Sequence, residues 1–131
     1  ALNAAVEAGR LVDVTPDSVA ADSLGARRAS AAALHAAQQD RVHSVTVPDE
    51  EIIRARRALW DHRRLAVEHG AATALAALTA PIGGHPGRTL PEQVGVPSGG
   101  YRPQSGERVA VVLCGANTDP SDLAHKPEHF A

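Results

Sequence analysis

The chain has 131 residues, 44% hydrophobic and 21% charged, ordinary values for one globular domain that can bury a core. A net charge of -2 gives no electrostatic case for nucleic acid or an anionic membrane surface. No stretch is apolar enough to span a bilayer, none has the shape of a signal peptide, and one cysteine allows no internal disulfide, which suits a reducing cytoplasm.

The chain lacks methionine and opens "ALNAAVEAGR", which reads like the middle of a helix without a start signal. Either the numbering begins inside a longer gene product or the N-terminus is processed. Residues 1–9 read as the end of a helix, with Gly9 as its C-cap. "LVDVT" (11–15) is a short β-rich run closed by Pro16, hence a predicted strand. A loop leads into an Ala-rich helix running to about Gln39, with Asp22 or Ser23 as N-cap. "RVHSVTV" (41–47) has Val45 and Val47 on one face and reads as a second strand.

"PDEEIIRARRALWDHRRLAV" is the clearest helix. Pro48 and Asp49 start it, and Glu50 and Glu51 put negative charge in the first turn, where the dipole favours it. Ile52, Leu59 and Ala66 recur every seven residues, as do Ile53, Trp60 and Val67, and the two rows form one apolar stripe. Arg54, Arg57 and Arg64 fall mainly off that stripe and read as a solvated face. "GAATALAALTA" (70–80) is helical and so apolar that it expects neighbours on most sides.

Residues 81–105 form a Gly/Pro-rich loop. Its "IGGHPG" superficially suggests a phosphate cradle, but it follows a helix rather than a strand and contains prolines, which argues against one. "ERVAVVLCGANTD" then reads as a strand buried on both faces, the pattern of a parallel sheet covered by helices. The element order predicts an α/β layer, with ligands beyond the carboxyl ends of strands, where Cys114 to Asn117 fall.

Three readings of Cys114 remain open from the residues: a packed small hydrophobe, a nucleophile, or a weak S–H donor facing a ring nitrogen. Glu68, followed by His69 and Gly70, reads either as a carboxylate capping the next helix or as a partly desolvated acid beside a cofactor. The seven histidines are scattered, and only His125 and His129 have helical i, i+4 spacing, next to Pro127, so no metal site is expected.

The segments "VDVTPDSVAADSLGAR", "VPDEEIIRARRALWDHRRLAVEHGAATALAAL" and "GERVAVVLCGANTDP", in this order, together resemble the C-terminal part of serine/threonine dehydratases. These are fold type II enzymes that use pyridoxal 5'-phosphate (PLP). The resemblance implies an incomplete α/β fold on this chain. Residues 1–80 would end the large PLP-binding domain, and residues 106–131 would supply the last cofactor-contacting strand, turn and tail.

In that family the residue opening the "S/C-G-G/A-N" turn contacts the pyridine nitrogen. The resemblance puts Cys114 there, followed by Gly115, Ala116 and Asn117. A neutral thiol does not hold that nitrogen protonated, which suits β-elimination of a hydroxyl. Glu68 matches the family's glutamate near the cofactor, although His69 departs from the usual proline, and Ser23 in "ADSLG" matches a loop on the substrate side. The family's Schiff-base lysine, substrate-carboxylate loop and phosphate cup all precede the matched segment, and Lys126 does not match the catalytic position. The resemblance therefore favours a piece of a longer gene product, inactive by itself, whose partners are the N-terminal part of the same enzyme, a second copy in a homodimer, and a small amino-acid substrate. The expected activity is a lyase reaction giving a 2-oxo acid and ammonia. A racemase on the same scaffold and a non-catalytic interaction module are the alternatives.

Overall fold

The computed structural model describes residues 1–80 and 100–124. Expectations for "IGGHPG", Lys126 and the His125/His129 pair lie outside the described residues. The first helix, α1 (Leu2–Ala8), ends as its sequence predicts. Gly9 adopts φ 63°, a left-handed conformation that costs glycine little, and it closes the helix with bonds back to Ala5 and Val6.

The single Ala-rich helix expected after residue 20 is two. A four-residue turn, α2 (Ala21–Leu24), stops at Gly25, and α3 (Ala31–Ala37) begins afresh behind Ser30. The Ser30 hydroxyl accepts the Ala33 N–H, so Ser30 is the N-cap of the longer helix, not Asp22 or Ser23. The break arises from a tertiary pairing. Val14 N–H donates to the Arg27 carbonyl at 2.8 Å, and Asp13 bridges Arg28, which holds residues 27–28 extended against 13–14.

Next, α4 (Asp49–Arg63) begins where Pro48 and the acidic first turn predict. The Asp49 carboxylate accepts from Ser18 Oγ at 2.7 Å and from the Val19 N–H at 3.0 Å, which fastens the loop carrying α2 to the start of α4. The helix ends early, at Arg64, a non-glycine residue with φ 55° whose guanidinium lies 5.4 Å from the Trp60 ring centroid. The buried stripe is correspondingly different from the predicted one. Ile52, Ala55, Arg56 and Leu59 face inward, whereas Ile53 is 48% exposed and Val67 reaches the core from beyond the helix.

The expected apolar helix is present as α5 (His69–Thr79), which packs along α4. Ala71, Ala72 and Ala76 are buried in the core. The core comprises these residues with Ala20, Ile52, Ala55, Leu59 and Val67. Full burial of an Ile, Leu or Val contributes about 1.5–3 kcal/mol. A short α6 (Ser121–Ala124) completes the described elements, with Leu123 buried.

No strand forms among the described residues. The segments 11–15, 41–47 and 107–113 make no ladder apart from the single Asp13–Arg28 bridge. A strand needs a neighbour for its N–H and C=O groups, and the three segments do not supply one to each other. Val112, predicted to be buried on a central strand, is 72% exposed. Among the described residues no helix is long and apolar enough to cross a membrane, and no group of three or more His, Cys, Asp or Glu could hold a metal.

Candidate functional site

Glu68 occupies the N-cap position of α5, with φ -67° and ψ 158°. Its carbonyl accepts the Ala72 N–H, but its side chain makes no cap bond to the helix. The carboxylate instead crosses to the turn after the 107–113 segment, where Oε1 accepts the Asn117 N–H at 3.1 Å. The Glu68 N–H donates to the Gly115 carbonyl, also at 3.1 Å. Two hydrogen bonds therefore join segments that lie nearly 50 positions apart in sequence, 49 in the case of Glu68 and Asn117.

The turn itself requires glycine. Gly115 has φ 113°, a region that L side chains rarely enter, and a Cβ there would lie 2.9 Å from the Glu68 carboxyl carbon. The next residue back, Cys114, is a free and exposed thiol at the tip of an apolar segment, so it is not a packed core residue in this structure. Asn117 contributes its backbone N–H to the contact.

Ser23 comes close to the same place through α2. A Cβ on Gly70 would lie 2.4 Å from Ser23 Oγ and 3.1 Å from Leu24 Cγ, so α2 rests directly on the first turn of α5 and only glycine fits beneath it. Ser23 Oγ donates to the Ala20 carbonyl at 3.4 Å. The structure thus brings Ser23, Glu68 and the Cys114–Asn117 turn around one end of α5, although no direct contact joins Ser23 to the turn.

Sequence reasoning missed Arg56. It lies on α4 and is only 3% exposed. Its Nε donates to the Val67 carbonyl at 2.8 Å, and Nη2 donates to Thr118 Oγ1 at 3.1 Å and to Asp122 Oδ1 at 3.2 Å. A signal was available: Arg56 stands four residues after Ile52 and three before Leu59, a charged residue within an apolar stripe. The neighbouring Arg57, read as part of a solvated face, is half-buried and donates to the Leu123 carbonyl at 2.7 Å and the Asp122 carbonyl at 2.9 Å. Arg54 pairs with the buried Glu51.

The hydrogen bonds from Arg56 hold the Asp122 carboxyl below its usual value of 3.8; desolvation opposes them, and the charges of Arg56 and His69 lower it further. A carboxyl whose folded pKa is depressed adds stability above its unfolded pKa and loses it as pH falls through the folded value. The attachment of α6 to α4 should therefore be constant above about pH 4 and weaken below it. Melting curves from moderately acidic pH down through the carboxylate range check this, and Asp122→Asn should reduce the acid sensitivity. Identical acid profiles for both proteins would contradict the assignment.

The profile of the family described as "Pyridoxal-phosphate dependent enzyme" matches residues 1–94. The chain is 36% identical to the human protein "Serine dehydratase-like" over 115 residues, which cover 88% of this chain and 32% of that protein. It is 31% identical to "Phenylserine dehydratase" of Ralstonia pickettii over 125 residues, or 95% of this chain and 32% of the relative. The chain thus spans about a third of the length of the curated relatives it matches. A crystal structure of a threonine deaminase from the organism abbreviated T.th. superposes with a TM-score of 0.50 at 27% identity, covering 56% of this chain and 25% of that one. With a family profile matched over most of its length, the chain belongs to the pyridoxal-phosphate-dependent enzymes.

Proposed function

We propose that this chain forms one wall of the PLP pocket of a β-hydroxy amino acid dehydratase, an enzyme that releases ammonia and a 2-oxo acid from a serine- or threonine-like substrate. The observation that carries this reading is the joining of Glu68 to the Gly115–Asn117 turn by two hydrogen bonds, with an exposed thiol at the next position. The residues fit the cofactor. Gly115 leaves no side chain between the Glu68 carboxylate and the turn, and Cys114 offers a small donor at its open edge. Bound PLP supplies an electron sink for charge developing at the substrate's α-carbon.

The parts of this chain have distinct tasks. Cys114 Sγ would meet the pyridine nitrogen as a weak donor and would not fix a proton on it. The Glu68 carboxylate orders the turn through Asn117 and sets the field beside the ring. Ser23 lies on α2 against the start of α5, and in this reading it would contribute to the substrate side. The lysine that carries the cofactor, the phosphate cup and the strands that pair with segments 11–15, 41–47 and 107–113 belong to other parts of the enzyme. This chain alone is inactive. A cytoplasmic homodimer is the assembly we favour, and the free Cys114 thiol is consistent with a reducing compartment.

The test uses the enzyme that contains this segment. As purified, it should show the visible absorption of bound PLP, and a colourless preparation that PLP cannot restore would overturn the reading. In that enzyme Cys114→Asp should lower dehydration of serine or threonine by about a hundredfold or divert it to other PLP chemistry, because a carboxylate holds the ring nitrogen protonated. Product analysis and turnover measurements read the outcome, and unchanged turnover would remove Cys114 from its role.

A further inference from the structure

The hydrogen bonds of Arg56 do not involve Cys114, yet its guanidinium reaches both segments that carry the site. Through Nε it holds the carbonyl of Val67, the residue before Glu68. Through Nη2 it holds the side chain of Thr118, the residue after Asn117, and approaches the Asp119 carbonyl at 3.4 Å. The Asp122 carboxylate receives bonds from Nη1 and Nη2. With the two hydrogen bonds between Glu68 and the turn, these contacts close a ring that runs from Arg56 through Val67, Glu68, Asn117 and Thr118 back to Arg56.

The turn needs such support. Residues 114–117 belong to no helix and no ladder, and all four are exposed. Arg56, in contrast, rises from the middle of the longest helix, and its side chain is 4% exposed. We propose that Arg56 is a positioning residue that fixes the Cys114–Asn117 turn against Glu68 by bonding to the residue before Glu68 and to the residue after the turn. Its planar fork of five donors suits acceptors on three separate segments, whereas the lysine ammonium is a point donor on a flexible stem. The clamp depends on this geometry and not on charge alone. Its relevance to the cofactor rests on the function proposed above.

Amide hydrogen exchange of the protein tests it, comparing Arg56→Lys with Ile52→Ala. Ile52 is buried one turn earlier on α4, so its variant serves as a general destabiliser without a hydrogen bond to the turn. Arg56→Lys should speed exchange at the Glu68 and Asn117 amides about tenfold more than Ile52→Ala does, even where Ile52→Ala lowers the melting temperature as much or more. Equal effects of the two variants at these amides, or no effect of Arg56→Lys, would reduce Arg56 to an ordinary structural residue. Should Arg56→Lys fail to fold, Thr118→Val removes one arm of the clamp and should still speed exchange at Asn117 several-fold; an unaltered rate there would overturn the proposal. Exchange reports on the clamp without cofactor. If the intact enzyme holds no PLP while the exchange contrast persists, the functional reading fails and the clamp stands.

Discussion

Arg56→Met should destabilise the protein by about 2–3 kcal/mol, lowering its melting temperature by roughly 10 °C. Methionine is unbranched and can follow much of the stem's path, so the loss comes mainly from hydrogen bonds. The Val67 carbonyl loses a donor inside the core, and Thr118 and Asp122 lose a charged partner. Breaking a fully buried ion pair typically costs about 3–5 kcal/mol. The smaller figure applies here because the Asp122 side chain is 57% exposed and is rehydrated when its partner leaves. Thermal or denaturant unfolding of the purified protein measures the change. A loss below about 0.5 kcal/mol, typical of surface substitutions, would mean that water replaces the guanidinium at little cost.

The second large effect is expected at Gly115. Replacing it with alanine places a Cβ 2.9 Å from both the Glu68 carboxyl carbon and Oε1, on a backbone with φ 113°. The carboxylate end of Glu68 can swing away, so the clash alone is cheap, but swinging away breaks its bond to the Asn117 N–H. The backbone strain remains in either case and costs about 1–3 kcal/mol. Gly115→Ala should therefore speed exchange at the Asn117 amide. In the intact enzyme it should also weaken PLP retention by about tenfold or more, as expected for a loss of about 1.4 kcal/mol or greater. Cofactor titration measures the second effect. Unchanged affinity together with an unchanged Asn117 amide would show that the turn accommodates a side chain.

The largest differences between sequence and structure share one cause. Gly9, the acidic first turn of α4 and the apolar α5 behave as read because their signals act within one or two turns of chain. The break between α2 and α3 was not visible locally, since alanine-rich residues favour continuing a helix. It arises where residues 27–28 pair with 13–14. The three segments read as strands form no ladder for a related reason. A β ladder is a property of two segments, and an apolar run specifies only what it would bury.

The site divides in the same way. Ser23, Glu68, Cys114, Gly115 and Asn117 were singled out from short motifs through the family resemblance, and the residues themselves left the purpose of Glu68 and Cys114 open. The sequence alone determined the helices at the chain start and over α4 and α5, the glycine turn after Cys114, and the family resemblance. Only the tertiary structure decided that the Glu68 carboxylate reaches Asn117 instead of capping α5, and that Arg56 joins both segments from behind. Helix periodicity is written in spacings of three and four residues. A carboxylate or guanidinium that finds its partner tens of positions away leaves no such spacing, because closing so long a loop adds only a slowly growing entropy and imposes no sequence period.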